Sequence, residues 1–315
     1  MMGVKVSVVV CTYNQEKTIA RTLDSILKQK TKYPYEIILG EDASTDGTRA
    51  ICEKYASEYP DIIKLLPSAP NKGLMRNYRD CIKASSGEYS MACAGDDWWS
   101  HEGKIDLQVD FLENNPDYVL TYTGSVRYNV NRDTYSDMRV IDPKRDTFAA
   151  LIDVDFICAP TWCFRISVFK SICLDDYIAK GYPMEDYPML LEMSQLGQFK
   201  AMEELTVTYT HSSDSASTFR TLEKQVLFED AVQRVRKDMV AKYGKGQEIS
   251  DLYLDDLYHR TLYSHGIKFN DRKFSLTNIL NVGNKTIRDY MKIVMALTGV
   301  TYAMLRRRNG KFATE

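Results

Sequence analysis

The chain has 315 residues, a formal charge of −2 and a 44% hydrophobic composition. That length bounds one large domain or a domain with an appendage, and near-neutral charge gives no general reason to expect a nucleic-acid partner. The seven cysteines form no C-x-x-C pair and have no histidine cluster beside them, which argues against zinc; they read as reduced thiols in a cytosolic core. The N-terminal apolar stretch is too short for a signal segment, and nothing reaches the ~20 apolar residues of a spanning helix, so a cytoplasmic protein is expected.

Residues 6–11 are a β-branched apolar run, the pattern of a strand buried on both faces. After the polar break Thr12-Tyr13-Asn14, Ile19, Leu23, Ile26 and Leu27 recur at helical spacing. Residues 36–39 read as a second strand, and Ser44 or Thr45 as the cap of a helix carrying Ile51 and Tyr55. A third strand spans 62–66. Leu74, Tyr78 and Ile82 mark a helix stopped by Gly87, and a fourth strand follows at 89–93. Ile105, Val109 and Leu112 line another helix, closed by Asn114-Asn115-Pro116, before a fifth strand at 118–123. From 125 to 220 the alternation loosens: 127–146 reads as loop, strand-like segments surround Trp162 and Val207, and a short helix starts near Asp186. Beyond 220 the pattern is helical, over 222–239, 249–265, 273–282 and 286–307.

Strands alternating with amphipathic helices predict an α/β fold with a mostly parallel sheet covered on both faces. Ligands of such sheets bind beyond the carboxyl ends of the strands. The stretches Thr12-Tyr13-Asn14, 41–47, 70–77 and 95–99 would therefore collect into one site. Asp96 and Asp97, adjacent at the end of an apolar run, can hold an oxygen-loving Mn²⁺ or Mg²⁺ that takes its remaining ligands from phosphates; a solvated acidic turn is the alternative. Asp42 can accept hydrogen bonds from a base imide or a ribose hydroxyl. Arg76 can reach base or phosphate oxygens, or be a plain surface arginine.

The ordered segments VSVVVCTYNQEKTIARTLDSIL, IILGEDASTDGT, NKGLMRNYRDCIKASSGEY and AGDDWW resemble the N-terminal half of a family-2 glycosyltransferase with the GT-A fold. The resemblance covers roughly residues 5–125 and extends more weakly to about 220. It implies a GT-A (Rossmann-like), mostly parallel sheet with flanking helices over 1–220. Residues 1–125 would be the nucleotide-binding half and 125–220 the acceptor half, with 221–315 a helical C-terminal extension. It implies donor contacts from Thr12, Tyr13, Asn14, Asp42 and Arg76, with Asp96 on ribose or metal and Asp97 on the metal. It also implies a metal-dependent, inverting transfer from a nucleotide-diphosphate sugar, a UDP-sugar above all, to a glycan or lipid-linked acceptor in cell-envelope synthesis. Three positions depart from the pattern, one of them mildly: Glu41 stands where an aspartate is common. Ala94 stands where many members carry an additional acid before the pair, and Thr210 where an arginine is common. Both keep open the alternative of a nucleotide-sugar binder without turnover.

An inverting transfer needs a base for the acceptor hydroxyl. Glu185-Asp186 is similar to the family's Glu-Asp motif, which makes Asp186 the expected catalytic base with Glu185 in support; a helix-start acid favoured by the dipole is the alternative. His211 is a weaker candidate for metal or diphosphate, and Trp98, Trp99 and Trp162 for an apolar wall. Residues 293–305, followed by Arg306, Arg307, Arg308 and Lys311, suit either a helix in a membrane interface or a packed helix with a solvated basic tail. Peripheral contact with the inner face of a membrane is thus one expectation.

Overall fold

Val6–Thr12 forms β1, and its valine-rich run Val6–Val10 is buried on both faces, which puts it mid-sheet. It pairs in parallel with β2 (Tyr35–Glu41) and β4 (Tyr89–Ala92), Val8 lying opposite Ile37 and Met91. β3 (Ile63–Leu65) extends the parallel run beyond β2. The computed structural model describes residues 3–67, 70–143, 146–211, 219–244 and 249–298. These fall into two compact units, Met1–Ser215 and Ala216–Glu315.

The first unit adds β5 (Trp98–Trp99), β6 (Tyr118–Asn129), β7 (Thr134–Met138), β8 (Trp162–Arg165) and β9 (Gln198–His211). The sheet order is β3-β2-β1-β4-β8-β6-β9-β5, with β7 paired to the far part of β6. β8 runs antiparallel to β4 and β6, while β6 and β9 are parallel. Around the sheet lie α1 (Ile19–Leu27), α2 (Thr48–Glu58), α3 (Leu74–Ala84), α4 (Lys104–Asn114), α5 (Thr147–Asp153), α6 (Leu174–Ala179) and α7 (Asp186–Met193).

Val6, Val8 and Val10 pack in one cluster with the apolar stripes of α1 and α4. Each fully buried aliphatic there contributes about 1.5–3 kcal/mol. α3 approaches β2 closely because Gly40 has no side chain: a Cβ there would lie 2.4 Å from the Cys81 sulfur.

Three local expectations need correction. Residues 127–146 are not simply loop, because β6 runs on to Asn129 and turns back as β7. β7 is exposed throughout, so no buried face announces it in the sequence. Neither Ser44 nor Thr45 caps α2. Ser44 instead accepts a bond from the Asn14 amide (2.9 Å), and the Asp46 carboxylate accepts from the Thr48 amide (3.0 Å). Finally, Trp99 and Trp162 are core residues, and Trp98-Trp99 is a short strand against β9.

In the second unit, α8 (Leu222–Tyr243), α9 (Asp251–Lys268) and α10 (Arg272–Asn281) are each capped by a side chain, from Thr221, Ser250 and Asp271. α11 (Ile287–Thr298) packs Ala296 and Ile293 against Tyr263, Ile279 and Val282. Residues 299–315, including most of the 293–305 segment and its basic tail, lie outside the described residues.

Candidate active site

The carboxyl ends of β1, β2 and β4 meet at one edge of the sheet. The β1 loop is built by hydrogen bonds to its neighbours. Thr12, buried, donates to the Gln15 side-chain oxygen (2.8 Å), and the Asp42 amide donates to the Thr12 carbonyl (3.0 Å). Asn14 adopts a left-handed backbone, φ 52°, and its side-chain oxygen accepts from the Thr45 amide (2.8 Å). Tyr13 stands exposed between them. Gly95 closes against this loop: a Cβ there would lie 2.4 Å from the Gln15 oxygen and 2.6 Å from that of Thr12.

Asp42, at the end of β2, is buried and already clamped. One carboxylate oxygen accepts from the Lys72 amide (2.9 Å), the other from the Gly73 amide (2.8 Å). The Asn71 side chain donates to its carbonyl (2.7 Å). Asp42 thus fixes the turn that opens α3, where Gly73 takes φ 81°. Arg76 is exposed in the first turns of α3 and makes no ion pair among the described residues.

Asp96 and Asp97 follow β4. Asp97 is almost fully buried, and its carboxylate accepts from the Thr210 amide at 2.7 Å. The Thr210 hydroxyl donates to the Asp96 carbonyl (2.5 Å), and the Thr22 hydroxyl to the Asp97 carbonyl (2.6 Å). Arg21 donates to the Asp96 carbonyl (3.2 Å) and lies over the Trp98 ring at 3.6 Å. Desolvation, then the neighbouring Asp96 charge, push the Asp97 carboxyl well above its usual range, against the Thr210 amide and Arg21. Desolvation also raises Asp96, opposed by its own amide, the Gln15 side chain and Arg21.

Such a pair fits a hard divalent ion. The donors are adjacent carboxylates, Asp97 buried and Asp96 half-buried, and desolvation raises both. Among the described residues no third acid, histidine or cysteine closes a cluster around them. Positions would remain for water and phosphate oxygens, the usual arrangement for Mg²⁺.

Asp186 opens α7, its carboxylate accepting from the Tyr187 amide (2.8 Å). Tyr187 is pinned in turn by donating to the Leu151 carbonyl (2.9 Å). Glu185 and Asp186 keep some access to solvent, yet desolvation raises both carboxyls, and the Asp186 charge lifts Glu185 further. Neighbouring groups relate the acids to one another. The Cys158 thiol is pushed up by burial and then by the charges of Asp97, Asp155 and Asp186. Tyr78 on α3 is raised by burial and then by Glu185. The charge of Asp186 is thus felt at Cys158, as that of Asp97 is, and the charge of Glu185 at Tyr78.

Gln15, Arg21 and Thr210 were not singled out as builders of the site. Gln15 lies within the quoted β1 segment, and Thr210 stood out only as a missing arginine. His211 ends β9 next to Thr210, its carbonyl accepting from the Val130 amide (3.1 Å). Residues 212–218 lie outside the described residues.

Residues 7–173, more than half of the chain, match the family described as Glycosyl transferase family 2. The chain belongs to that family. Among family relatives, it is 40% identical over 127 residues to the putative glycosyltransferase EpsE of Bacillus subtilis, covering 40% of this chain and 45% of EpsE. It is 33% identical over 118 residues to the poly(ribitol-phosphate) beta-N-acetylglucosaminyltransferase TarS of Staphylococcus aureus, covering 37% of this chain and 20% of TarS. The matched stretch spans 34% to 45% of the first curated relatives, less than half their length. The fold resembles that of TarS 1-349 in complex with UDP-GlcNAc, with TM-score 0.55, 18% identity, and 94% of this chain and 80% of that one covered. It also resembles the mannosyltransferase PcManGT from Pyrobaculum calidifontis in complex with GDP-Man and Mn²⁺, with TM-score 0.55, 14% identity, and 96% and 82% covered. These likenesses show the GT-A architecture.

Proposed function

We propose that the chain is a metal-dependent inverting glycosyltransferase that moves a sugar from a UDP-sugar to a glycan or lipid-linked acceptor of the cell envelope. The observation that carries this reading is the adjacent Asp96-Asp97 pair after β4, Asp97 buried and both carboxyls raised by desolvation. Membership of glycosyl transferase family 2 supports it, as do the UDP-GlcNAc of the TarS structure and the Mn²⁺ of the mannosyltransferase structure. The acceptor reading rests on the poly(ribitol-phosphate) acceptor in the name of TarS.

Asp96 and Asp97 would hold the cation, which offsets charge on the departing diphosphate, an effect of several kcal/mol. Tyr13, exposed on the β1 loop, offers a face to the base, and Arg76 a charge to the donor. Thr12 and Asn14 hold the loop in shape, and Asp42 sets the α3 turn beneath it. Asp186 accepts the acceptor's hydroxyl proton as that oxygen bonds to the anomeric carbon. The bond from that carbon to the phosphate oxygen breaks, and the nucleoside diphosphate leaves. Burial raises the proton affinity of Asp186 and so makes it a stronger base than a solvated aspartate.

UDP release from a panel of UDP-sugars with Mn²⁺, with and without EDTA, tests the reading. Release that needs an acceptor and vanishes with chelator is expected. Donor binding without release across many acceptors would instead leave a nucleotide-sugar binder.

A further inference from the structure

We propose that Arg21 is a phosphate-binding residue of this site, its guanidinium held ready beside the acidic pair. The inference deepens the proposed function and rests on it. Arg21 stands in the first turn of α1, just after the β1 loop. Its Nη2 donates to the Asp96 carbonyl (3.2 Å), and its guanidinium lies over the Trp98 ring, 3.6 Å from the centroid. Trp98 is itself fixed. It pairs with Thr208 on β9 and meets Tyr128 edge to face, with ring centroids 5.9 Å apart. Tyr128 stacks in turn on Tyr135 at 4.7 Å, the two lying directly opposite each other on β6 and β7. The exposed ribbon thus buttresses the ring on which the arginine rests. A guanidinium restricted in this way loses less freedom when it binds a ligand.

The arrangement leaves charge of both signs unjoined. Arg21 is exposed, and among the described residues its side chain donates only to a neutral carbonyl and forms no ion pair. Yet the acids are close enough to act on it: partial desolvation lowers its proton affinity, and Tyr128, Tyr135, Asp97 and Asp96 then raise it. The Thr210 amide holds the Asp97 carboxylate, and the Trp98 ring holds the guanidinium, so cation and anions stay side by side. Such a surface fits a ligand that itself carries both signs, a divalent cation for the carboxylates and phosphate oxygens for the free N–H donors of the fork. A planar guanidinium can give a phosphate two parallel N–H bonds, which the point charge of a lysine cannot. The phosphate has two possible sources, the diphosphate of a nucleotide donor and a phosphodiester acceptor such as the poly(ribitol-phosphate) in the name of TarS.

The test is calorimetric titration of UDP and of uridine, each with Mn²⁺, into the full chain, Arg21→Met and Arg21→Lys. Methionine keeps an apolar stem against Trp98 and removes the charge. UDP should bind at least roughly tenfold more weakly to Arg21→Met, the size of a lost hydrogen bond to a charged group. Arg21→Lys should fall between the two, and uridine should be unchanged. Mn²⁺ without nucleotide should bind about as well as before, because removing a neighbouring positive charge offsets the lost bond to the Asp96 carbonyl. Ribitol 5-phosphate, added to protein saturated with UDP and Mn²⁺, reads the second source: a loss confined to that ligand assigns the same phosphate contact to the acceptor. Equal losses for UDP, uridine and Mn²⁺ would make Arg21 a support of the acidic turn alone and overturn the proposal. Affinities for UDP and ribitol 5-phosphate that are both indifferent to Arg21→Met would overturn it too, while leaving the proposed function standing. An unaltered chain that binds no UDP with Mn²⁺ would overturn both.

Discussion

Two acidic centres at the same sheet edge are built in opposite ways. Asp42 is buried but receives an amide on each carboxylate oxygen, from Lys72 and Gly73. Asp96 and Asp97 sit side by side: Asp97 receives the Thr210 amide, Asp96 its own amide and the Gln15 side chain, and Arg21 lies nearby. Burial therefore raises both members of the pair. A buried carboxylate is tolerated when hydrogen bonds replace its water; two side by side hold a proton between them or take up a cation. Asp42 is a finished structural clamp, and the pair is the centre that, on the proposed function, a cation would complete.

The largest expected effect tests the incomplete centre. Asp97→Asn keeps an oxygen for the Thr210 amide and removes the charge. It should lower kcat about 1000-fold, a several-kcal/mol loss of the charge stabilisation that a bound metal supplies. Melting should report the same residue without turnover. Carboxyls raised in the folded state contribute stability below their unfolded pKa, and that contribution is lost as pH rises through the folded value. At neutral pH the apo pair is thus a cost that a divalent ion offsets. Mn²⁺ at 100-fold its Kd should stabilise by about 2.7 kcal/mol, several degrees in Tm. The increment should be larger at pH 7.5 than at pH 5 and absent in Asp97→Asn. Equal melting increments in the two proteins would move the ion elsewhere.

Asp186→Asn comes next, with kcat down about 100-fold or more and donor binding by calorimetry nearly intact, as befits a base. Because burial raises the carboxyl, the acid limb of kcat/KM should lie above the ~3.9 of a solvated aspartate. A limb at or below that value would show that Asp186 is not the titrating base.

The strands and helices of the first 125 residues were legible because burial on both faces and helical periodicity leave strong patterns in residues 6–112. β7 left none, since an exposed ribbon hanging on β6 needs no apolar alternation. The acidic pair was legible as chemistry, and its isolation was not. Thr210 lies more than 100 residues away in sequence and reaches Asp97 only because β9 runs beside Trp98-Trp99. A backbone amide acting at such range carries no residue signature, so the position registered only as a missing arginine.

On the finished centre a smaller loss is expected. Asp42→Ala removes both acceptors of the Lys72 and Gly73 amides. Bonds to a charged group contribute about 1.5–3 kcal/mol, so stability should fall by roughly that much, and donor affinity with it as the α3 turn loosens. Mn²⁺ should still raise Tm in this variant, which separates the two centres. If Asp42→Ala also abolished the Mn²⁺ response, they would be one coupled unit.

The finest probe is Thr210→Val, which keeps the amide on Asp97 and deletes only the hydroxyl bond to the Asp96 carbonyl. That carbonyl also accepts from Arg21, and the Thr22 hydroxyl holds the next one along, so the loop keeps other anchors. One neutral hydrogen bond is worth about 1 kcal/mol, which predicts roughly a fivefold rise in the apparent Kd for Mn²⁺ and little change in Tm without metal. A titration of Mn²⁺ into the chelator-stripped protein reads this directly. An unchanged Kd would mean that Arg21 and Thr22 alone fix the acidic turn. A rise beyond about 100-fold would mean that the hydroxyl sets the orientation of the Asp97 carboxylate, and that β9 is as much a part of the metal centre as the loop that carries the acids.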